Sequence, residues 1–558
     1  MAFREFLLAG VAGALAIGLG AAPVVARAQD QAATAAAAKP APSADAPGRW
    51  LRAESEHFIV YSDRGEPTLR SYVTMLEDFD GVLRVLQNRT TAETPRKLPV
   101  YLVSNINQLR RAYPDADERL GGVYFNALND IFAIAIRAER GSASNGSDDV
   151  VLHEYVHHFM MQYFPNGYPG WMIEGLAEYY MTADLQPKKV LVGSANAGRG
   201  YSLYNERWLP MEDLLGKEPG ELRSDDMATF YAQAWLLTHY VWTDKQRWTK
   251  LQDYLAAIRA GGDPMESWTK AFGEDSKTLE RNLRTYMRKP LMGVAITRTP
   301  PPPPQIAFTR MPAGADDLIL EAQLLKRGVS DDQGAVLLKK VRELAAKRPG
   351  EFYSRLVLAR AECDLGDRAA GEKILKTLLD ERPTDLEALQ VMAYSRLAAA
   401  RNADYDDAKA IYAEAAKYLG RAHKIDGDNY LTLYGYAEAR SFDRDPSQNT
   451  LNVVFRAAEI APQSPTIRMN AASLFTRAGQ YGVARDMLTP IAANPHGGGA
   501  AKMAANMLKE LEGKADRPPP PAQVAAPTPA PASTKPPART SGGGASKGQV
   551  KAGAKPAG

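Results

Sequence analysis

The spacing of apolar and polar positions predicts a first half that mixes strands with helices and a second half that is helical. Short apolar runs bounded by turn residues predict strands at residues 57–61, 98–103, 121–126 and 131–137. Residues 67–88 instead carry apolar positions three and four apart, which predicts an amphipathic helix. The two halves of the chain are therefore expected to fold differently.

The second half is repetitive as well as helical. An Arg-Pro pair at Arg348 recurs at Arg382, 34 residues later, and Pro495 follows Pro462 by 33 residues. A period of about 34 residues with a proline at the end of the second helix is typical of tetratricopeptide (TPR) repeats. The step from Pro383 to Asp428 is about eleven residues longer than this period, which predicts an insertion in the repeat between these two positions.

Changes in composition divide the chain. Five consecutive prolines at residues 300–304 predict a stiff linker. The last part of the chain is rich in Pro, Ala, Gly, Ser and Lys, lacks the apolar content to fold, and is predicted to be disordered. The predicted divisions after the N-terminal segment are a flexible spacer 29–48, a first domain 49–292, a Pro-rich linker 293–314, a helical repeat domain 315–513 and a tail 514–558.

Residues 1–28 have the pattern of a secretory signal peptide. A weakly basic start precedes an uncharged run rich in Leu, Ala and Gly, and an Ala-Arg-Ala site predicts cleavage before Gln29. The alternative is an uncleaved anchor, because the apolar run is long enough to span a bilayer. No membrane span is expected after cleavage. A signal rich in Ala and poor in basic charge favours a periplasmic or secreted protein of the bacterial envelope.

A cluster of potential metal ligands follows the predicted strands. His153 and His157 stand four residues apart on a predicted helix, so their imidazoles point the same way. Such a pair supplies two zinc ligands, and Glu154 is placed to act as a general base. A proline-containing turn lets a second helix fold back and bring Glu174 to the histidine face as a third ligand. The alternative is a buried structural helix with satisfied histidines.

The motif His-Glu-x-x-His, a spacer of sixteen residues and the run Glu-Gly-x-Ala-Glu-Tyr resemble the gluzincin metallopeptidases of the peptidase-MA-like group, which are related to aminopeptidase N and thermolysin. The resemblance covers about residues 50–290 and implies an α+β fold, a zincin-type domain with a small mixed sheet and helices. The site residues that it implies are the Zn²⁺ ligands His153, His157 and Glu174, the catalytic base Glu154, and Glu178 as the carboxylate that orients a ligating histidine.

The same resemblance bears on the walls of the cleft. It assigns residues 131–136 to the strand edge that pairs with extended substrate, although this run fits a core strand equally well. It also makes Tyr231 a donor to the oxyanion of the tetrahedral intermediate, whereas the alternative is an aromatic core residue. His239 is the alternative donor, with a core histidine as its commoner role. Residues 183–225 are expected to be irregular and to form a cleft wall or a lid.

These features predict an exported zinc-dependent peptidase that acts on a peptide or protein substrate, followed by an all-α TPR-like solenoid that docks substrate or a protein partner. One alternative is a non-catalytic scaffold of the cell envelope with a structural or vestigial zinc site. Another is a zinc hydrolase that acts on a non-peptide amide. The net charge of +3 and the lack of a large basic patch argue against nucleic acid as a partner.

Overall fold

A computed structural model describes residues 46–118, 120–137, 146–194, 197–441 and 445–517 of the chain. The predicted signal peptide lies outside the described residues, as do most of the predicted spacer and nearly all of the predicted tail. None of the described helices is both long and apolar enough to cross a lipid bilayer.

The described strands are β1 (Pro47–Glu54), β2 (Phe58–Ser62), β3 (Leu98–Val103), β4 (Gly122–Asn126), β5 (Ile131–Ile136), β6 (Asp184–Gln186), β7 (Lys189–Val192), β8 (Val294–Thr297) and β9 (Ala307–Pro312).

Helices make up most of the molecule, which is mainly helical with a small mixed sheet. The helices of the first half are α1 (Glu66–Leu86), α2 (Ile106–Ala112), α3 (Gly146–Tyr163), α4 (Gly170–Met181), α5 (Ala197–Asn205), α6 (Met211–Gly216), α7 (Met227–Trp242), α8 (Lys245–Arg259), α9 (Pro264–Phe272) and α10 (Ser276–Tyr286). Those of the second half are α11 (Gly314–Arg327), α12 (Asp331–Ala345), α13 (Phe352–Leu365), α14 (Arg368–Glu381), α15 (Leu386–Arg401), α16 (Tyr405–Ile425), α17 (Tyr430–Arg440), α18 (Gln448–Ile460), α19 (Pro465–Arg477), α20 (Tyr481–Ala492) and α21 (Gly498–Glu510).

The larger sheet has six strands in the order β4-β5-β3-β2-β1-β9. The pairs β2–β3 and β3–β5 are parallel, and the other pairs are antiparallel. Strand β5 pairs on both sides, so the assignment of residues 131–136 to the cleft edge is wrong and they form a core strand. The described strand at that edge is β4, which pairs with β5 from Asn126 opposite Ile131 to Gly122 opposite Ala135.

Helices α3 and α4 form a hairpin beside this sheet. Apolar side chains of α3, including Leu152, Val156 and Phe159, are buried in the main core of the first half. Helix α4 packs between α3 and α7. At Gly175 a Cβ atom would overlap the Thr238 side chain and the Ala234 carbonyl of α7, so the glycine permits this close approach. The position of α4 against α7 is therefore fixed by backbone packing.

The segment 183–225 is not irregular, contrary to the expectation from sequence. It contains β6, β7, α5 and α6 together with two short 3₁₀ turns, Pro219–Glu221 and Ser224–Asp226. Each element is at most nine residues long. Elements this short do not carry enough turns or alternations to produce a clear apolar period.

The two ends of the predicted linker belong to sheets. Strand β8 joins β6 and β7 in a three-stranded sheet, and β9 adds to β1 at the end of the larger sheet. The proline run at 300–304 lies between these two paired strands and has no regular structure. Residues 293–314 therefore form part of the first fold and not a free spacer.

The second half consists of helices that pack mainly against their neighbours in sequence. The pairs α13–α14, α15–α16, α17–α18 and α19–α20 each make extensive contact. The predicted insertion appears as a longer α16, which has 21 residues where α14 has 14. This arrangement of successive helix pairs is the one expected for TPR-like repeats.

The helical half packs directly on the first half, and the described residues up to Asp516 belong to one compact unit. One hydrophobic cluster contains Ile131 of β5 together with residues of α17 to α21. The Tyr430 hydroxyl donates a hydrogen bond to the Leu128 carbonyl at 3.1 Å. The start of the predicted tail packs on the helical half itself, because Gly482 N of α20 donates to Asp516 Oδ1 at 2.7 Å. The repeats are thus fixed relative to the α3–α4 hairpin.

Candidate metal centre

The α3–α4 hairpin brings the three predicted zinc ligands together. The Nε2 atoms of His153 and His157 lie 3.1 Å apart. Glu174 Oε2 lies 3.3 Å from His153 Nε2 and 3.4 Å from His157 Nε2. Tetrahedral zinc with bonds of about 2.0–2.1 Å would hold its ligand atoms about 3.3–3.4 Å apart. The three donors therefore already have the mutual spacing of zinc ligands.

The environment of Glu174 fits a bound cation. The side chain is fully buried, with 0% of its surface exposed. Within the described part of the chain, neither carboxylate oxygen accepts an aligned hydrogen bond. Burial alone would raise the pKa of this carboxyl, but the three surrounding imidazoles hold the pKa well below its usual range. A buried carboxylate that stays charged requires a positive partner, and a metal ion would supply one.

Glu178 lies behind the first histidine, one helical turn after Glu174. Its Oε1 atom is 3.5 Å from His153 Nδ1, on the side of the ring opposite Nε2. Arg199 of α5 holds the Glu178 carboxylate through two hydrogen bonds of 2.8 and 2.7 Å. Burial alone would lower the pKa of His153, but these acidic neighbours, Glu174 first, outweigh it and raise the pKa. The arrangement orients His153 with Nε2 toward the other donors.

Glu154 lines a cavity beside the predicted metal ligands. The cavity has a volume of about 310 Å³ and also adjoins His157, Tyr124 of β4 and the apolar side chains of Met161 and Ile173. Glu154 is only partly buried, whereas Glu174 is fully buried. A carboxylate that faces open space next to the donor set has the location required of a general base.

Tyr231 stands at the same centre. Its ring lies edge-to-face with the His153 ring at 6.1 Å between centroids, and the Arg199 guanidinium lies 5.0 Å from its centroid. Burial raises the pKa of the phenol, and nearby carboxylates raise it further, so the hydroxyl keeps its proton. Tyr231 is therefore a protonated donor close to the predicted metal ligand His153.

Two other histidines, His158 and His239, are buried and lie beside tyrosine hydroxyls. His158 is buried, and its Nδ1 atom lies 3.0 Å from the Tyr124 hydroxyl. Burial lowers the pKa of His158 to about 3, so this ring is neutral. His239 is buried and its Nδ1 atom lies 2.9 Å from the Tyr286 hydroxyl. These contacts fit the expectation of a core histidine at position 239.

A second group of possible ligands lies on the opposite side of α3. His57 Nδ1 lies 2.5 Å from Glu77 Oε2 and 3.4 Å from Asp80 Oδ2. Asp80 also accepts hydrogen bonds of 2.6 Å from Arg84 Nε and from the Tyr155 hydroxyl. The carboxylate of Asp80 is satisfied by protein groups, one of them a cation, so this cluster does not require a metal. Through Tyr155 it anchors α3, the helix that carries His153 and His157.

One residue of the site comes from the helical half. His496, in the loop between α20 and α21, places Nε2 at 2.8 Å from Glu174 Oε1. Its ring is edge-to-face with that of His157, with 5.4 Å between centroids. Nothing in the sequence links positions 174 and 496, because the contact depends on how the two halves pack. Arg199 was likewise not predicted, since a single arginine in a segment of short elements has no local signature.

Comparisons with known proteins assign no family to this chain. No family model matches the sequence, and no curated protein matches it. Among solved structures, the chain is similar to a thermophilic TPR protein of Thermus thermophilus, with 19% identity and a TM-score of 0.31 over 35% of this chain and 100% of that one. It is also similar to the ArsTM double mutant of MamA RS-1, with 13% identity and a TM-score of 0.25 over 36% of this chain and 97% of that one. The helical repeats of this chain are identified by their own period and helix pairs.

Proposed function

We propose that this protein is a zinc-dependent peptidase that hydrolyses peptide bonds. One observation carries the proposal: two imidazoles and a fully buried carboxylate converge with their donor atoms 3.1–3.4 Å apart. The adjoining cavity exposes Glu154 to a substrate. The donor set of two histidines and one glutamate, with a water in the remaining position, is the one used by catalytic zinc sites.

The residues of the chain have separate tasks in this mechanism. His153, His157 and Glu174 would hold the ion, which when bound polarises a carbonyl and makes water nucleophilic at neutral pH. The Glu154 carboxylate accepts a proton from the attacking water and delivers it to the leaving amine. The buried surroundings of Glu174 exclude bulk water, so the electrostatic interactions at the centre are strong.

Strand β4 provides a surface for an extended substrate. It ends the larger sheet, and Val123, Tyr124 and Asn126 line the cavity next to Glu154. A peptide laid along this edge would form main-chain hydrogen bonds as an added strand. The position of this sheet edge beside Glu154 supports a peptide or protein substrate over a small molecule.

Tyr231 is proposed to donate its hydroxyl proton in a hydrogen bond to the oxyanion. Replacing Tyr231 with Phe is expected to lower kcat by about 10²–10³-fold, the cost of losing one such donor. Zinc binding and KM should change little, because the phenyl ring keeps its packing against His153. Steady-state kinetics with a metal assay on the same preparations checks this. Unchanged kcat would make Tyr231 an aromatic packing residue.

The helical repeats and the N-terminal segment extend the proposal. The repeats, by the general use of stacked helix pairs, would dock a protein partner or the substrate itself. Residues 1–28 would direct export to the periplasm or beyond. A peptidase in that location would act on proteins of the cell envelope.

A non-catalytic scaffold is the second candidate function. Two observations favour it: helix pairs fill most of the second half, and a loop from that half contacts the proposed zinc ligand Glu174. In this case the zinc site would only stabilise the junction between the halves. The repeats would then carry the function through a protein partner.

Metal analysis and proteolysis together separate the two functions. The purified protein is expected to contain one zinc per chain and to cleave a denatured protein substrate. A chelator should abolish cleavage, and added zinc should restore it. A protein that binds zinc but cleaves no substrate would support the scaffold instead.

A further inference from the structure

We propose that the loop between α20 and α21 is part of the active centre and that His496 is a positioning residue for the zinc ligand Glu174. The inference rests on the proposed zinc centre and adds a residue from the helical half to it. The two oxygens of Glu174 face different partners. Oε2 lies 3.3 and 3.4 Å from the histidines of α3, while Oε1 lies 2.8 Å from His496 Nε2.

This division suits a carboxylate that binds a metal through one oxygen. The oxygen turned toward the other ligands is free to bind the ion, and the second oxygen needs a polar partner because Glu174 is fully buried. His496 is the protein group within hydrogen-bond distance of that second oxygen among the described residues. Partners of this kind fix the orientation of a ligand and tune its affinity for the metal.

The loop holds His496 in place by local contacts. Asn494 Oδ1 accepts a hydrogen bond of 2.9 Å from His496 N, and the Asn494 carbonyl accepts one of 2.9 Å from Gly497 N. The first is the contact by which an asparagine fixes the backbone two residues on. Pro495 between them is buried and has a restricted φ. The imidazole is therefore presented from a constrained turn.

Contacts between the two halves fix the loop that carries His496 against the α3–α4 hairpin. Gln463 Nε2 donates to the His158 carbonyl at 3.3 Å and to Gln162 Oε1 at 3.0 Å, both on α3. The turn between α3 and α4 lies on α20, since a Cβ at Gly167 would stand 2.9 Å from Thr489 Cγ2. The same packing makes residues 490 and 493 part of the cavity wall that faces Glu154. The helical half thus forms part of the wall of this cavity.

A simpler role for His496 is an ion pair that only stabilises the fold. The two roles differ in what a substitution changes. A stabilising pair predicts a lower melting temperature of the zinc-free protein and an unchanged zinc affinity. A positioning residue predicts a weaker zinc affinity even where the zinc-free protein melts normally, and partial rescue by a side chain that keeps an N–H donor.

The test measures the zinc Kd of the full chain by competition with a chromophoric chelator. His496→Ala is expected to weaken zinc binding by about 10–100-fold, and His496→Gln is expected to recover part of the loss. His423→Ala is the matched control, because His423 is exposed on α16 and should leave the Kd unchanged. Melting curves of the zinc-free proteins, recorded in parallel, report any loss of folding.

The outcomes separate this inference from the proposed function. A Kd for His496→Ala within twofold of the wild type overturns the positioning role and leaves the peptidase proposal standing. A wild-type protein that binds no zinc overturns both. A weakened Kd in His496→Ala together with an inert wild type supports the positioning role and rejects the peptidase.

Discussion

Replacing Glu154 with Gln is expected to lower kcat for peptide hydrolysis by about 10²–10⁴-fold, the usual contribution of a general acid–base group. The amide cannot accept a proton from the attacking water, and it has no proton of the right acidity for the leaving amine. Zinc content should stay at the wild-type value, because Glu154 lines the cavity and is not one of the three converging donors. Turnover of a fluorogenic peptide, with zinc measured on the same sample, checks both expectations.

Glu212→Gln serves as the control for this substitution. Glu212 is exposed at the start of α6, so the same chemical change there should leave kcat and zinc content unaltered. Full activity in Glu154→Gln would remove Glu154 from the mechanism. Loss of zinc along with activity would show that Glu154 supports the metal and is not only a base.

Glu174→Gln is expected to remove most of the free energy of stabilisation that zinc binding gives to the fold. A ligand present at 100 times its Kd raises the free energy of unfolding by about 2.7 kcal/mol. Gln keeps the size of the side chain but loses the charge that holds a cation between the two histidines. If the zinc Kd rises 100-fold or more, the same zinc concentration adds about 0.4 kcal/mol or less. Urea unfolding with and without zinc measures both increments.

Glu372→Gln is the control for Glu174→Gln, because Glu372 lies in α14 and is not one of the proposed zinc ligands. Glu372 is also a buried helix glutamate, and it accepts a hydrogen bond of 2.8 Å from Ser395 Oγ and contacts Arg396. This substitution should lower the baseline stability and yet keep the full zinc increment. An undiminished increment in Glu174→Gln would mean that zinc binds elsewhere.

The features that could be predicted from the sequence are those set by local spacing. The histidines of α3 share a face because they stand four residues apart, and Glu174 reaches them because a proline-containing turn reverses the chain. The strands and helices of the first half were also predicted where each carries a clear period of its own. Bringing the three donors together required only one hairpin.

Features that depend on long-range packing could not be predicted in this way. Strand β5 became a core strand because its pairing with β3 and β4 is decided by topology and not by its own residues. The ends of the predicted linker pair into sheets with strands far away in sequence. His496 and Arg199 reach the site from separate segments, and a lone polar residue carries no sign of its partner. The three donors can therefore be predicted from local spacing, whereas the residues that orient them cannot.

The most direct test of the metal centre is anomalous diffraction at the zinc edge from crystals of the zinc-loaded protein. We expect one strong peak within about 2.0–2.2 Å of His153 Nε2, His157 Nε2 and an oxygen of Glu174. The coordination position that faces Glu154 should be free of protein ligands. A peak at another place, or no peak with Glu174 turned away from both imidazoles, would rule out the proposed metal centre.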